Sequence, residues 1–383
     1  MLKVLYTGAF RFPDQDAAAF RVYTVAKLFE RGAAKVTFAG WEGASKRIYD
    51  FEGHKCYGQA EFRTDEKNLI SRLFGFLFRG YKTLFWLVRN NNFDCVVIYN
   101  PPAFFALSIL LLSKVRRFNV ILDVTEWYES SHLPGGKYGV ASFENFIRMR
   151  LVYPMFSNVI VISTYLLKHL RRAENKILVP PLISDEALLH AKDSSLDVVK
   201  FLYAGDMGRK DNLSGFVSVL EQIELQSGKE IELHIVGCSE EVFLNALAEA
   251  GVSISICQGR VFFYGRVPRA KVFELYRQCH FSVFFRQRAR YAIAGFPTKA
   301  VESLSHGCPV VTNKVGDIGD LLSNGENSFL IDEASAHDIG LALKELTPER
   351  YSMMRESAYA LYKQRFTVSA NVEHFKKFMS AFY

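Results

Sequence analysis

The sequence predicts an α/β protein made of two doubly wound, parallel-sheet domains. Short apolar runs alternate with segments of helical periodicity, which is the pattern of repeated βα units. The alternation stops at Val179-Pro180-Pro181 and restarts at Lys200. The length of 383 residues also suits two domains, at roughly 100–200 residues each.

The first half of the chain predicts five strands, each followed by a helix. Strands are expected over residues 2–7, 35–39, 95–99, 120–124 and 159–163, because these are short runs of the kind that parallel sheets bury. Helices are expected over residues 17–31, 70–89, 103–114, 143–156 and 165–172. Residues 1–180 are therefore the predicted N-terminal domain.

The second half repeats the pattern after a stiff, polar connection. Prolines restrict the backbone at 180 and 181, so residues 181–199 are the predicted interdomain linker. Strands over 201–204, 232–236, 261–264, 281–285 and 309–312 alternate with helices over 212–226, 240–250, 269–279 and 298–306. Residues 200–367 form the predicted C-terminal domain, and residues 368–383 a last helix that could pack back on the N-terminal domain.

The charge of the chain is asymmetric. Residues 1–180 carry 25 Lys and Arg against 15 Asp and Glu, and the remainder carries 22 against 25. A basic first domain favours an anionic partner surface. No apolar stretch reaches the roughly 20 residues of a membrane span, the N-terminus lacks a signal-peptide pattern, and the cysteines are dispersed rather than clustered. We therefore expect a cytoplasmic protein, with the inner face of the plasma membrane as a candidate site of peripheral contact.

The segment from 294 to 313, AGFPTKAVESLSHGCPVVTN, is the most informative. A Gly-Phe-Pro turn leads into a helix at Thr298, and helix N-termini bind phosphate. Lys299 adds a positive charge, and Glu302 on the same helix face suits ribose hydroxyls. The segment predicts a nucleotide-diphosphate site; an ordinary solvent-exposed helix start is the alternative.

Two further loops have the character of ligand loops. Residues 201–213 read as a strand, a glycine, a basic pair and a helix, which suits an anion, although such pairs are commonly solvated. The turn at 265–268 could meet a base through its backbone. The predicted donor-binding residues are Gly205, Arg209, Lys210, Gly265, Val267, Phe296, Pro297, Thr298, Lys299 and Glu302.

These segments, in this order, resemble the retaining glycosyltransferases of the two-domain GT-B fold, in glycosyltransferase family 4. The motifs that match are Ile235-Val236-Gly237, the G-x-V-P turn at 265–268, and the helix that ends in G-x-P-V-V at 307–311. In the first domain, residues 21–28 ahead of Gly32 also match. The resemblance implies GT-B architecture, with two Rossmann-like domains facing across a cleft, one substrate on each, and no metal ion.

The chain departs from the family pattern at two positions. The first Glu of the family's Glu-x7-Glu motif is replaced by Ala294, and the Arg that often follows the loop glycine is replaced by Asp206. Lys299, in a G-F-P-T-K loop similar to that of a polysaccharide-assembly subgroup, would compensate in part.

Acidic and aromatic residues follow the predicted strand 120–124. Carboxylates bind sugar hydroxyls and aromatic rings stack on sugars, although a helix N-terminus also favours acids. The resemblance implies that this loop faces the reacting carbon, so that Asp123 or Glu126 orients or deprotonates the acceptor hydroxyl. The predicted catalytic residues are Asp123, Glu126, Lys210 and Lys299. The predicted acceptor-binding residues are Arg21, Glu126, Trp127, Tyr128 and His132.

Residues 68–92 mix basic and large apolar side chains, which suits either contact with an anionic membrane or a buried helix with snorkelling cations. Asp14-Gln15-Asp16 matches a D-x-D metal motif, but the implied fold needs no metal, and we predict no metal site and no cofactor. No recognised nucleic-acid motif is present.

The function expected from the resemblance is sugar transfer. A retaining enzyme would move a sugar from a nucleotide diphosphate, first of all UDP with GDP or dTDP as alternatives, to a hydroxyl of a lipid-linked glycan in surface polysaccharide biosynthesis. Three alternatives remain open at this point: a non-catalytic nucleotide- or glycan-binding subunit, a nucleotide-sugar epimerase, and an NAD-dependent oxidoreductase. The last would require G-x-G-x-x-G after the first strand, which residues 8–13 do not supply.

Overall fold

The computed structural model describes residues 1–12, 16–42, 47–61, 69–90, 92–183, 185–187, 189, 195–205, 211–253 and 259–383, with the side chains of 69–72 left out. The chain divides into two compact units. The first unit contains Met1–Leu182 and Val368–Tyr383, and the second contains Ile183–Thr367. Each unit is built on one mostly parallel sheet, so the predicted fold class is confirmed.

The first unit is organised around a sheet whose central strands are buried. Its strands are β1 (Leu2–Gly8), β2 (Ala34–Glu42), β3 (Arg47–Phe51), β4 (His54–Ala60), β5 (Cys95–Tyr99), β6 (Asn119–Val124), β7 (Asn158–Val161) and β8 (Asn175–Leu178). Their order is β3-β4-β2-β1-β5-β6-β7-β8, and only the β3–β4 pair is antiparallel. The continuous apolar runs of β1, β5 and β6 reflect burial on both faces. The edge strands β3 and β8, and β4 next to β3, were not predicted.

The helices of the first unit follow the expected order with shorter segments. They are α1 (Ala17–Arg31), α2 (Leu69–Leu77), α3 (Tyr81–Arg89), α4 (Ala103–Arg116), α5 (Val140–Ile147) and α6 (Thr164–His169). After α5 the chain continues as a π-helical turn, Arg148–Val152, and a short 3-10 turn, Tyr153–Met155. The helix expected over 143–156 therefore changes its hydrogen-bonding pattern twice.

The helix expected over 70–89 is broken at Gly80. Gly80 has φ +98°, a conformation that glycine adopts without strain. A Cβ at Gly80 would lie 2.5 Å from the Phe105 ring, so the backbone also needs the space. The buried Glu61 carboxylate accepts hydrogen bonds from the backbone N–H groups of Gly80 and Thr83 and thereby fixes the start of α3.

The second unit is an all-parallel sheet flanked by short helices. Its strands are β9 (Val198–Ala204), β10 (Glu230–Val236), β11 (Val261–Gly265), β12 (Phe281–Val283), β13 (Val310–Thr312) and β14 (Ser328–Leu330), in the order β11-β10-β9-β12-β13-β14. Its helices are α7 (Leu213–Val217), α8 (Leu220–Ser227), α9 (Glu240–Glu249), α10 (Arg269–Gln278), α11 (Arg290–Ala294), α12 (Thr298–Ser305), α13 (Asp317–Leu321), α14 (Ala336–Lys344) and α15 (Pro348–Arg365).

The last helix, α16 (Val368–Met379), belongs to the first unit. The ring of Phe375 lies 4.8 Å from that of Phe29 on α1, centroid to centroid. The chain enters and leaves the second unit side by side, because the Ile183 N–H donates to the Phe366 carbonyl at 2.9 Å. The two units meet in sequence at Leu182 and Ile183, near the start of the predicted linker, and most of residues 181–199 lies in the second unit.

None of the helices in the described part of the chain has the length and apolarity needed to cross a membrane. The five described cysteines are buried, and no disulfide joins any two of them. Cys257 lies outside the described residues.

Candidate functional site

The carboxyl edge of the second unit's sheet is lined by glycines at the ends of three neighbouring strands. Gly205 follows β9, Gly237 follows β10, and Gly265 ends β11. The Gly237 N–H donates to the Gly265 carbonyl at 2.8 Å. A Cβ at Gly237 would lie 2.7 Å from the Gly205 carbonyl oxygen. The edge is therefore bare backbone, which a ligand could approach closely.

Lys299, in the first turn of α12, is mostly buried, and its amine lies at this edge of the sheet. Its side chain is 11% exposed, and its Nζ lies 2.5 Å from Asp211 Oδ2. The same ammonium lies 4.1 Å from the centre of the Tyr203 ring, where a cation is stabilised by the face of the ring. A Cβ at Gly205 would lie 2.7 Å from Nζ. The amine is thus held at the end of β9, beside the glycine.

Asp211 links this lysine to a second cation. Arg286 Nε donates to Asp211 Oδ1 at 3.2 Å, and the Tyr203 hydroxyl donates to Oδ2 at 3.1 Å. Burial alone would raise the pKa of Asp211, but the charges of Lys299 and Arg286 outweigh it and hold the pKa below its ordinary value. Burial lowers the pKa of Lys299, and Asp211 offsets part of that effect. One carboxylate between two cations leaves a net positive charge at the edge.

Sequence reasoning missed Asp211, Arg286 and Tyr203. Asp211 directly follows the basic pair that drew attention, and it was not singled out. Arg286 follows β12 at the carboxyl end, where ligand-binding residues collect in parallel sheets. The run RQRAR at 286–290, three arginines directly after the predicted strand 281–285, is the sequence signal that indicates a cationic site there.

Glu302 lies one turn beyond Lys299 and is paired with Arg269. The Arg269 Nη2 to Glu302 Oε1 distance is 2.9 Å, and the glutamate side chain remains 21% exposed. Burial raises the pKa of Glu302, although Arg269 and Lys299 oppose the rise. The predicted contact of Glu302 with a ribose would therefore compete with Arg269.

The Gly-Phe-Pro turn contributes packing rather than side-chain contacts. Phe296 is 7% exposed, its ring lies 5.7 Å from that of Phe366, and Pro297 is also buried. Both side chains pack in the core, so a contact of these two residues with a donor would be made through their backbone, which leads into α12; that contact stays a prediction. Thr298 is exposed at the start of that helix.

The remaining predicted donor residues divide into two groups. Val267 is half-buried and packs on an apolar cluster beneath the G-x-V-P turn, while Gly265 has φ +62°. Arg209 and Lys210 lie outside the described residues, as does Asp206. Ala294 is fully buried at the end of α11, in a position without access to solvent.

Asp123, at the carboxyl end of β6, is enclosed within the first unit. Its carboxylate is fully buried and accepts hydrogen bonds from the Tyr6 hydroxyl at 2.5 Å and from Arg21 Nη2 at 2.8 Å. Arg21 is also buried, and its Nη1 donates to the Val179 carbonyl at 3.0 Å. Burial, together with the Asp123 charge, keeps the pKa of Tyr6 well above its ordinary range, so the phenol stays protonated.

Two predictions are corrected by this enclosure. Asp123 is not placed to deprotonate an acceptor and Arg21 is not placed to bind one, because each satisfies the other away from solvent. The pair instead ties β6, β1 and α1 to the segment that precedes the second unit.

Trp127 is likewise not available for stacking on a sugar. Its side chain is 4% exposed, and its ring packs against His169 at 4.2 Å between centroids. Arg150 covers it at 5.1 Å. The ring is therefore part of the core between β6 and α6.

Glu126, Tyr128 and His132 lie at the surface of the same loop. Glu126 is exposed, and it accepts a hydrogen bond from the Tyr128 hydroxyl at 2.8 Å. His132 Nδ1 lies 3.3 Å from Glu129 Oε2, and its side chain is 22% exposed. These three side chains are the ones in the predicted acceptor set that a ligand could reach. The described residues contain no group of three or more His, Cys, Asp or Glu placed to hold a metal ion; Asp14 and Gln15 of the D-x-D motif lie outside them.

Most of the second unit is similar to a known family of domains. Residues 199–348 match the family model described as "Glycosyl transferases group 1". Lys299, Asp211 and the glycine edge all lie within this matched segment. No curated protein matches the sequence.

Solved structures show the fold of the whole chain. Sucrose-phosphate synthase from Thermosynechococcus elongatus matches with a TM-score of 0.75 and 13% identity, over 100% of this chain and 99% of that one. Anabaena HepE in complex with UDP and glucose matches with a TM-score of 0.70 and 14% identity over 100% of both chains. A TarM variant from S. aureus, in a complex that includes UDP, gives 0.68 and 10% over 99% of each. At these identities the likeness establishes the GT-B architecture.

Proposed function

We propose that this protein is a retaining glycosyltransferase that moves a sugar from a nucleotide diphosphate to a hydroxyl of a glycan acceptor. The observation that carries the proposal is the buried Lys299 amine at a bare glycine edge, within a domain of the glycosyltransferase group 1 family. UDP is the first candidate nucleotide, because two structurally similar proteins were solved with it; GDP and dTDP are the alternatives.

The proposed role of this edge is to stabilise the departing diphosphate. Charge develops on the leaving group as the glycosidic bond breaks, and fixed cations in a poorly solvated site stabilise it without reorganising. Lys299 and Arg286 are held in place by Asp211. The start of α12 at Thr298 would add unpaired backbone N–H groups, and Arg209 and Lys210 would add charge. Glu302 would meet the ribose. No metal ion is needed in this scheme.

The proposed acceptor residues are those that remain accessible in the first unit. Glu126 is the candidate general base, since it is the exposed carboxylate of the predicted acceptor loop. Tyr128 would hold it in place through their hydrogen bond, and His132 would line the same loop. We propose a lipid-linked acceptor in surface polysaccharide assembly, met by the basic N-terminal domain at the inner face of the plasma membrane.

The test is thermal unfolding of the purified chain with UDP, GDP, dTDP, CDP or ADP and without metal. A ligand that binds only the native state stabilises it by RT ln(1 + [L]/Kd), about 2.7 kcal/mol at a hundredfold excess over Kd. One nucleotide should raise the melting temperature of the second unit. Loss of that shift in Lys299→Ala, but not in Lys271→Ala on a neighbouring exposed site, would locate the binding. The absence of a shift with every nucleotide would contradict the proposal.

A non-catalytic nucleotide- or glycan-binding subunit is the second candidate function. It is favoured by one observation: the family's first motif glutamate is replaced by Ala294, whose side chain is fully buried. Such a subunit would bind nucleotide and release no product. Mass analysis of reactions with donor and acceptor separates the two functions, and conversion of the donor without an acceptor would instead indicate an epimerase.

A further inference from the structure

Helix α5 exposes large apolar side chains and buries polar ones, which is the reverse of an ordinary amphipathic helix. Val140, Phe143 and Phe146 are 43%, 64% and 55% exposed, whereas Ser142, Glu144 and Asn145 are buried. A surface helix normally buries its apolar stripe and exposes its polar one. The exposed aromatic rings of α5 therefore do not serve the core of the first unit.

The buried side of α5 is polar because each of its polar groups has a structural partner. Glu144 Oε1 accepts a hydrogen bond from the Ala103 N–H at 2.9 Å and so caps α4. Asn145 Nδ2 donates to the Tyr128 carbonyl at 3.0 Å, and the Ser142 hydroxyl donates to the Gly136 carbonyl at 2.6 Å. The polar side of α5 therefore stabilises the first unit through hydrogen bonds. The exposed apolar side makes no such contribution, so its exposure needs another explanation.

The neighbouring helix α4 has an exposed apolar stripe of its own. Leu107, Leu111 and Val115 are spaced four residues apart, share one helix face, and are 38%, 58% and 77% exposed. Leu151 and Met155, in the turns after α5, are 57% and 58% exposed. We call these residues with Val140, Phe143 and Phe146 the apolar face. Of the 21 large apolar side chains exposed among the described residues, 13 lie between residues 73 and 155, so such side chains are concentrated in this part of the chain.

Basic residues lie next in sequence to the apolar residues of both α4 and the turns after α5. Lys114, Arg116 and Arg117 are exposed at the end of α4, beside Val115. A cavity of about 310 Å³ is lined by Pro154 and Phe156, the sequence neighbours of Met155, and also by His169, Arg150, Arg171 and Arg172. Within the described part of the chain, none of these three arginines forms an ion pair with a carboxylate.

We propose that the apolar face docks on a lipid bilayer that contains anionic lipids. The rings of α5 and the leucines of α4 would enter the acyl boundary, and the arginine-lined cavity would receive a headgroup phosphate. A second copy of the chain fits less well, because two such faces would bring their basic residues together, whereas an anionic membrane complements them. From the sequence, residues 68–92 were a candidate for membrane contact, with a buried helix as the alternative. The docking surface proposed here is instead centred on α4 and α5.

The proposal does not depend on sugar transfer, although a lipid-linked acceptor would require the enzyme at such a surface. The test is co-sedimentation of the full chain, without nucleotide, with vesicles of phosphatidylcholine alone or with added phosphatidylglycerol. Binding is expected to the anionic vesicles and to weaken at high salt. F143S together with F146S should weaken it at least tenfold, since one buried large apolar side chain contributes about 1.5–3 kcal/mol.

The matched control is Leu225→Ser, which removes an apolar side chain that is 83% exposed in the second unit and should leave binding unchanged. Arg171→Gln and Arg172→Gln should each weaken binding about fivefold, the change that corresponds to about 1 kcal/mol per basic residue near an anionic surface. Thermal unfolding checks that every variant folds, and the nucleotide-induced shift, measured on the same samples, reports separately on the proposed function.

Three outcomes would overturn the docking proposal, and a fourth would remove the headgroup site from it. Equal binding to neutral and anionic vesicles would remove the role of the basic residues. Binding that F143S and F146S do not change would remove the apolar face. Concentration-dependent dimers, detected by light scattering and lost in the same variant, would assign the face to a second copy of the chain. Competition by inorganic phosphate alone, with no dependence on lipid, would reduce the cavity to a phosphate site.

Discussion

Asp211 organises the chemistry of the second unit at the scale of single residues. Its carboxylate holds Lys299 and Arg286 at the carboxyl edge of the sheet, and it receives the Tyr203 hydroxyl as well. A buried pair of this kind contributes little when complete, but the loss of one partner leaves an uncompensated charge in the interior. Asp211 is therefore the residue through which the positions of both cations are maintained.

Asp211→Asn should destabilise the second unit at neutral pH by about 3–5 kcal/mol, because it leaves buried cations without their partner. The Asp211 pKa is held below its ordinary value. Its stabilising effect is therefore present above that value and is lost as the pH falls through the lowered pKa. In urea unfolding, the difference between wild type and variant should be constant near neutrality and shrink below about pH 4.

The control for that experiment is Asp332→Asn. Asp332 pairs with Arg288 at the surface, where its side chain is 75% exposed, and such pairs contribute about 0–1 kcal/mol. A pH-independent difference for Asp211→Asn, or an equal effect in both variants, would contradict the role given to Asp211.

Lys299→Ala should lower kcat by about 10²–10³, the loss measured when one charge-stabilising donor is removed from a transition state. Because Lys299 is buried and paired, this variant also loses stability. Lys299→Met keeps most of the apolar stem and leaves Asp211 paired with Arg286, so it should lose less stability than the alanine variant and as much turnover. Steady-state kinetics and thermal unfolding of both variants make the check. Near-wild-type turnover in either would remove Lys299 from the mechanism.

At the scale of elements, the break between α2 and α3 shows how one distant carboxylate sets a helix start. Glu61 Oε1 lies 2.6 Å from the Thr83 backbone nitrogen and 2.7 Å from its hydroxyl, and Oε2 lies 3.1 Å from the Gly80 nitrogen. All of these groups are buried. A capping interaction of this kind satisfies backbone donors that the first helical turn leaves unpaired.

Glu61→Ala should destabilise the first unit by about 1–3 kcal/mol, since it leaves buried N–H groups without acceptors. Glu61→Gln retains one acceptor oxygen and should lose less. Hydrogen exchange of the α3 amides, read together with urea unfolding, measures both effects. Unchanged protection of α3 in the alanine variant would show that the cap is not what holds this helix start.

At the scale of the whole molecule, the chain leaves the first unit once and returns to it once. Ile183 and Thr367 are paired at the crossing point, and α16 completes the core of the first unit with Phe375, Phe378 and Met379. The last residues of the chain are therefore structural partners of its first helix. The second unit, in contrast, is continuous in sequence from Ile183 to Thr367.

Ending the chain at Thr367 should lower the stability of the first unit and leave that of the second unchanged. Phe375→Ala, a milder change, should cost about 3–5 kcal/mol, as expected for truncation of a buried aromatic side chain. Calorimetry should resolve two transitions, of which only one moves, and the nucleotide-induced shift should remain with the other. Equal displacement of both transitions would contradict this division of the chain.

Features that depend on neighbouring residues in the sequence could be predicted, and features that depend on distant residues could not. The strands at 95–99 and 120–124 were found because burial on both faces produces an unbroken apolar run. The edge strand β3 carries Arg47 and Asp50 and is largely exposed, so it has no such run. The break at Gly80 depends on Glu61, which lies 19 residues away, and no helical periodicity reports it.

The sequence by itself determined the alternation of strands and helices, the family-like motifs of the second unit and the position of Lys299 at the start of a helix. Only the tertiary structure decided which charged residues face solvent. It enclosed Asp123 with Arg21, paired Lys299 with Asp211 across 88 residues of chain, and turned the aromatic side of α5 outwards. The reason is physical: periodicity records local burial, whereas a buried charge needs a partner that only the packed chain brings within reach.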